Sequence, residues 1–590
     1  MPVSAEAPFD LLDRHWRWFL LLAWLVIAGF MLWDRWGLIR IFALGDTDDN
    51  MRIMQVRALL NGQGWYDLSQ HRLVGSNIHW SRLVDLPIAA LKIIFTPLVG
   101  GRIAEQIAVA VAPLLPMLVA MTAITVVVRR LIAGIAWPLA IALIACAGSA
   151  NGMWQPLRID HHGWQLAMLA WAMASLTDPR RARGGVTLGI ATALSFAIGL
   201  EMLPYMAVSG GLVALMWVRD GSEARRLAAY GASLGGGCAL AFLVFTSEAN
   251  MAPICDALTP IWLSAMLAAG AAAVALAYLT PAKPLARLAI AALAGAGIAG
   301  AFALGAPQCL GRLEQSSPEL ERLWLSRVRE AMPIWRHGFD TTVQTVTLPV
   351  AGLIGYALML WQSRRDPGRL IPWAAVAALA ALAAALLCWQ TRAGPAAQLL
   401  SIPGATALAW AAIAWLAGQR SMLVRVFGVV AAFLLISGTA SFQLTRWFDT
   451  PLSEGRKAIN RANNRCPTLY ALAPVNRQPA GMVLTFVDLG PRLITVTHHD
   501  AITGPYHRNA RQIIDVMHVW RGGEANAHAT ALRYRVDYLL ICPNLSESTI
   551  YRSEAPDGFY AQLMRGKVPA WLAPVQLPAN SPYRMWRVIK

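Results

Sequence analysis

Apolar runs of about 17 to 25 residues recur from Trp16 to about residue 440. A run of that length, folded as a helix, satisfies its own backbone hydrogen bonds and can cross the hydrocarbon core of a bilayer. We read thirteen such runs, near 16–33, 103–128, 132–149, 163–177, 186–201, 203–218, 228–246, 261–280, 289–305, 343–362, 371–389, 398–417 and 422–440. No water-soluble core accommodates so many. The charged fraction is 14%, against roughly a quarter in soluble domains, so the sequence predicts a mainly α polytopic membrane protein. The first run, Trp16 to Trp33, is long for a signal-peptide core and lacks a small-residue cleavage site, which predicts a transmembrane helix.

Fifty Lys and Arg stand against 33 Asp and Glu. Such an excess could mark nucleic-acid binding, but its placement argues otherwise. With Arg14 and Arg17 on the cytoplasmic side, the inside loops receive Arg129–Arg130, Arg180–Arg181 and Arg183, Arg219 with Arg225–Arg226, Lys283 with Arg287, Arg364–Arg365 with Arg369, and Arg420 with Arg425. This is the positive-inside bias, and it accounts for the charge without nucleic acid. It predicts a multi-pass protein of a bacterial inner membrane with a cytoplasmic amino terminus. An odd number of spans then puts the carboxyl-terminal part on the periplasmic side.

Two long connections, 34–102 and 306–342, fall on the outer side, together with everything after Ser441, where hydropathy collapses. Within the first, Leu86 to Val99 is apolar but broken by Pro87, Lys92 and Pro97, and reads as an interfacial segment. The division is a transmembrane region, 1–440, and a soluble domain, 441–590. Short β-rich runs (Met482–Val487, Leu493–Thr497, Tyr538–Ile541) and the amphipathic stretch Asn509–Trp520 make the latter a small α/β or α+β domain. Seven cysteines without CxxC spacing exclude the common structural zinc patterns, while Cys466 with Cys542 and Cys255 with Cys309 are available for disulfides in an oxidising compartment.

Polar groups of interest gather on the outer side. Gly45 to Arg52 carries Asp46, Asp48 and Asp49 where the first span ends, a position free to face water or a membrane-edge cavity; a solvated acidic loop is the plain alternative. Trp154 to Trp164 contains Asp160, His161 and His162, and a carboxylate two residues from an imidazole can share one cation; a capping aspartate before interfacial histidines is the alternative. Glu330 lies in a basic, tryptophan-bearing loop, as an acid or an ion-pair partner. Arg392 sits between the eleventh and twelfth spans, with a guanidinium fork suited to phosphate oxygens or to snorkelling. His79 and Arg82 belong to an aromatic-rich stretch that could form a sugar platform, although tryptophan and tyrosine also populate bare membrane interfaces. In the last domain, His498 and His499, followed by Pro505–Asn509, are candidates for an acceptor or second metal site, or simply a strand end leading to a helix.

This arrangement resembles the catalytic subunit of oligosaccharyltransferase, within the GT-C class of glycosyltransferases that use lipid-linked sugars. The resemblance rests on Asp46, Asn50 and Arg52 in the first loop, Asp160 with His162 in place of a second acid, Val328–Glu330–Pro333, and Arg392, all in the expected order. It covers about residues 1–440 and stops at the acceptor side, because residues 441–590 contain no Trp-Trp-Asp-Tyr-Gly.

The resemblance implies transfer of a sugar or glycan from a polyprenyl-phosphate or pyrophosphate carrier to a glycan, lipid or protein acceptor. It implies catalysis by Asp46 and Glu330, a divalent cation (Mn²⁺ or Mg²⁺) on Asp46, Asp160, His162 and Glu330, and Arg392 on the donor phosphate. Asp48, Asp49, Arg52, His79, Arg82, His161, His498 and His499 are further substrate-binding candidates. Two rival readings remain: a transporter or flippase for a lipid-linked glycan, which would place charges near the midplane and show internal repeats, and a non-catalytic scaffold, which would not bring the polar groups together.

Overall fold

The computed structural model describes residues 7–448 and 451–589. Among them, eight helices are long and apolar enough to cross a membrane: Trp16–Asp34, Gly101–Leu131, Gly221–Phe245, Pro260–Leu279, Pro284–Gly305, Phe339–Ser363, Pro367–Leu386 and Thr391–Ala417. A ninth span arises if Met422–Ile436 and Thr439–Phe448, bent by 72°, count as one. The bend falls at Gly438, whose φ of +79° suits glycine.

The expected thirteen therefore exceed these eight or nine spans by five or four. Trp137–Cys146 has 10 residues, His162–Leu176 has 15 and Leu203–Arg219 has 17. At 1.5 Å per residue the first two fall well short of the roughly 30 Å hydrocarbon core. Arg181–Ile198 is long enough but opens on Arg181 and Arg183 and is rich in glycine and threonine. His162–Leu176 and Arg181–Ile198 are largely buried within the bundle. Hydropathy cannot separate a helix that faces lipid from one wrapped in other helices.

Small residues let the helices approach closely. A Cβ on Gly231 would lie 2.5 Å from the Gly270 carbonyl, and one on Gly355 would lie 1.9 Å from that of Gly404. Such contacts replace the hydrophobic driving force that is missing in lipid. At one end of the bundle the basic loops are neutralised by neighbours: Arg130 by Asp178 at 3.0 Å, and Arg181 and Arg226 by Glu223 at 2.7 and 2.6 Å.

The first long loop holds the helix Thr47–Leu60 and a hairpin of β1 (Ser69–Gln70) and β2 (Ser76–Asn77). Leu86–Val99 is part of a helix, Asp85–Val99, with several exposed apolar side chains. The carboxyl-terminal part builds a five-stranded sheet from β3 (Met482–Leu484), β4 (Asp500–Ala501), β5 (Tyr538–Ile541), β6 (Leu572–Pro574) and β7 (Arg584–Val588) in the order β4-β3-β5-β7-β6. β3 runs parallel to β4 and β5, and β7 antiparallel to β5 and β6. Leu493–Thr497, expected as a strand, lies mostly in the helix Gly490–Val496, which Pro491 starts. Cys255 is bonded to Cys309 and Cys466 to Cys542.

This domain sits on the first loop. Arg492 donates to Asn50 Oδ1 at 3.2 Å and to the Phe42 carbonyl at 3.0 Å, Thr495 to the Asn50 carbonyl at 3.1 Å, and Tyr506 to the Thr47 carbonyl at 2.8 Å. The amino-terminal turns of the helix Thr47–Leu60 are thus held from the domain's side, which fixes where Asp46 points.

Candidate functional site

Between the first loop, the loop 311–332, the turn 389–392 and the carboxyl-terminal domain lies a cavity of about 1170 Å³. Its acidic corner starts with Asp46, the N-cap of Thr47–Leu60, whose side chain accepts the Asp48 N–H at 3.0 Å. Asp48 and Asp49 fill the first turn, where the helix dipole favours negative charge. The partner segment turns at Leu157, whose φ of +79° is unusual for a branched residue and is held by a 2.9 Å bond from its N–H to the Val109 carbonyl.

That turn delivers Arg158 among the carboxylates. Its Nη1 lies 2.5 Å from Asp46 Oδ2 and 3.5 Å from Asp49 Oδ2, and its Nη2 lies 2.6 Å from Asp160 Oδ2. Asp160 also accepts from His162, at 2.9 Å through the ring and 3.1 Å through the backbone, and donates its own N–H to Asp49 Oδ1 at 3.1 Å. Burial would raise the Asp160 carboxyl, but Arg158 and His162 overcome it and hold the group well below the usual carboxylate range. Burial would lower His162, yet Asp160 pushes it up to about 9. For Asp48, burial, then Asp46 and Asp160, outweigh His162 and Arg158 and push it up to about 8. Burial likewise raises Asp49 in spite of Arg158.

Farther along the cavity, Arg392 donates from Nη2 to Glu330 Oε1 at 2.8 Å, while its buried Nε has no hydrogen-bond partner. His161 meets Glu201 at 2.9 Å and packs its ring on His162, 4.3 Å between centroids, and on Trp80 at 5.2 Å. From the opposite domain, Asp488 faces the cavity and is pushed up to about 6 by burial and by the charge of Asp46.

Of the residues singled out in the sequence, Asp46, Asp48, His79, His161, His162, Glu330 and Arg392 line this cavity. Asp49 and Asp160 stand directly behind them, joined to Arg158. Arg52 and Arg82 do not reach it: both are buried on Asp85, at 2.9 and 3.3 Å, with Arg52 over the Trp80 ring at 4.6 Å, and they brace the first loop. His498 and His499 lie elsewhere, with ring nitrogens on the carbonyls of Gln478 and Val475. His507, inside the Pro505–Asn509 stretch offered as part of an acceptor or second metal site, does line the cavity, whereas Arg158, Glu201, Asp256 and Asp488 carry no functional expectation from the sequence. Glu201 had a signal, a lone acid between two apolar runs. Arg158 lay inside the Trp154–Trp164 run without its role being readable.

Four carboxylates, Asp46, Asp48, Asp49 and Asp160, face only Arg158 and His162 as cations, so two negative charges remain when all six are ionised. The oxygen-plus-imidazole set and this surplus charge fit a divalent cation of the Mg²⁺ or Mn²⁺ kind. Asp46, Asp160 and His162 are the residues that would supply its donors, although Arg158 bridges Asp46 and Asp160 and the three ligand atoms do not all lie within 4.8 Å of one another, so they would have to close in to hold it. Glu330 is engaged separately with Arg392.

No family model matches the sequence, and no curated protein matches it. The structure is similar to that of the archaeal oligosaccharyltransferase AglB from Archaeoglobus fulgidus in complex with an inhibitory peptide and a dolichol-phosphate, with a TM-score of 0.66, 15% identity, and 95% of this chain covering 73% of that one. The chain has the GT-C fold of an oligosaccharyltransferase. The Archaeoglobus fulgidus oligosaccharyltransferase in its apo form gives 0.64 at 16% identity over 89% of this chain and 69% of that one. Its complex with Zn and sulfate gives 0.62 at 15% over 96% and 73%. The oligosaccharyltransferase-like fold spans both the membrane region and the sheet domain of this chain.

Proposed function

We propose that the protein transfers a sugar or glycan from a polyprenyl-phosphate or pyrophosphate carrier to a glycan, lipid or protein acceptor, on the periplasmic side of a bacterial inner membrane. The observation that carries this reading is the meeting in one cavity of Asp46, Arg158, His162, Glu330 and Arg392, drawn from four distant segments, on an oligosaccharyltransferase fold. The similar archaeal enzyme was solved with a dolichol-phosphate, and separately with Zn and sulfate, which supports a phosphate carrier and a divalent cation here.

In this reading the carrier lies along the apolar helices with its phosphate at Arg392, whose partly exposed guanidinium offers donors to phosphate oxygens. Charge on the departing phosphate grows towards the transition state, so a fixed guanidinium stabilises that state more than the bound donor. Asp46, 40% exposed and aimed by Arg158 and its own helix, receives the acceptor's proton or orients its nucleophile. A divalent cation bound in the acidic corner would add neutralisation of the leaving phosphate. Asp488 approaches from the other domain and borders the space left for the acceptor.

The test is a loss-of-function strain whose cell-surface glycans and lipid-linked intermediates are analysed by mass. Transferase activity predicts accumulation of one carrier-linked glycan and disappearance of its surface product. Unchanged profiles of both overturn the proposal.

A further inference from the structure

A second cluster of ligating side chains lies on the rim of the cavity. His79 follows the β1–β2 hairpin, Asp256 lies in the connection between the helices Ala224–Phe245 and Pro260–Leu279, and His507 opens a short turn in the carboxyl-terminal domain. One ligand atom from each lies within 4.8 Å of the other two, and among the described residues this is the one group of three or more His, Cys, Asp or Glu side chains so arranged. All three are half-buried and line the cavity wall.

The second observation is how each member is held. His507 Nε2 lies 2.5 Å from Asp256 Oδ2, and the His79 and His507 rings stand 4.8 Å apart between centroids. Asp256 follows Cys255, which is bonded to Cys309, so its backbone is tied to the far end of the helix Pro284–Gly305. The His79 carbonyl accepts Asn250 Nδ2 at 3.1 Å. Arg508 donates Nη2 to Asp256 Oδ1 at 2.6 Å and Nε to Oδ2 at 2.8 Å, the kind of outer contact that orients a ligating carboxylate. Two imidazoles and a carboxylate are the donors that zinc and its neighbours in the first transition row prefer. Zinc-to-ligand distances of about 2.0–2.2 Å in a tetrahedron place ligand atoms roughly 3.4 Å apart, so His507 and Asp256 need to separate by about 1 Å to admit the ion.

We propose that His79, Asp256 and His507 form a zinc-class divalent metal site, distinct from the acidic corner at Asp46, that fastens the carboxyl-terminal domain to the first outer loop and the membrane region. Because all three side chains line the cavity, a further donor to the ion would come from water or from an oxygen of a bound substrate. The site does not depend on the transferase reading, since binding is measured without turnover.

The experiment uses the full-length protein purified in detergent, stripped with a chelator and titrated with zinc chloride, with bound zinc counted by plasma mass spectrometry and affinity taken from calorimetry. His507→Gln retains a group able to hydrogen-bond Asp256, and Asp160→Asn serves as the control for the acidic corner. We expect the unmodified protein and Asp160→Asn to share a site that is weakened at least tenfold in His507→Gln and in Asp256→Asn, and zinc to raise the melting temperature only where that site is intact. A His507→Gln protein that melts normally without zinc yet has lost that site confirms the assignment. Equal zinc affinity in His507→Gln and the unmodified protein, or loss of all tight binding in Asp160→Asn alone, overturns it.

Discussion

Arg158 Nη1 lies 2.5 Å from Asp46 Oδ2, while its other nitrogen holds Asp160 at 2.6 Å. The guanidinium therefore locks the first long loop to the start of the helix His162–Leu176. Replacing it with methionine removes the shared partner of three carboxylates and lets Asp46 drift. A misplacement of about 1 Å in a catalytic group costs on the order of 100-fold in rate, so Arg158→Met is expected to lose about that much in kcat with normal membrane insertion. Arg158→Lys, which keeps the charge but not the fork, falls between. Turnover of a labelled lipid-linked donor in detergent measures both.

Arg392 makes a different prediction. It carries one bond to Glu330 and an unused buried Nε. A hydrogen bond to a charged group contributes about 1.5–3 kcal/mol, so Arg392→Ala is expected to raise KM for the donor or lower kcat/KM by roughly 10- to 150-fold. Lysine should rescue it poorly, because a point charge cannot replace a fork. A kcat/KM unchanged in Arg392→Ala would remove phosphate binding from its role.

Asp85 separates support from chemistry. It is fully buried and neutralises both Arg52 and Arg82. Asp85→Asn leaves two buried guanidinium groups without a carboxylate, and removal of one partner from a buried pair costs about 3–5 kcal/mol. The expected result is loss of monodisperse protein on size-exclusion chromatography, where Asp46→Asn gives a normal profile. A stable but inactive Asp85→Asn would instead place Asp85 in the reaction.

Glu547 ties stability to pH. It accepts the backbone N–H groups of Val487 and Asp488 at 2.9 and 2.8 Å, and burial followed by the charge of Asp488 pushes it up to about 8. A carboxyl raised above its unfolded value of about 4.3 binds its proton more tightly when folded. The stability linked to it is complete below that unfolded value and is lost as pH rises through about 8. Hydrogen-exchange protection of Tyr538–Ile541 is expected to fall between about pH 5.5 and 8.5, and to fall less in Asp488→Asn, which lacks the neighbouring charge. Protection that stays flat or grows over that window contradicts this account.

The membrane character and the small carboxyl-terminal sheet were legible because hydropathy reports directly on the solvent each segment meets. The span number was not. Helices such as His162–Leu176 are apolar because they pack inside the bundle, and the sequence carries no mark of that difference. In the site, Asp46, Asp160 and Arg392 stood out because charge next to an apolar run is costly unless it has a use. The connection of Asp46 to Asp160 through Arg158 was hidden, since it depends on a left-handed turn at Leu157 that nothing in the local sequence requires. Arg52, Arg82, His498 and His499 drew attention as polar residues but serve packing. The cluster at His79, Asp256 and His507 joins three segments more than 150 residues apart, beyond the reach of any spacing rule.

The proposed function gives Asp46 its role on the acceptor while a carrier-linked glycan is bound. Its most direct test is complementation of a deletion strain with the unmodified protein or with Asp46→Asn at matched membrane levels, followed by mass analysis of polyprenyl-linked glycans. The account predicts that the unmodified protein clears the accumulated intermediate and that Asp46→Asn leaves it in place. Clearance by Asp46→Asn at the unmodified rate would contradict it.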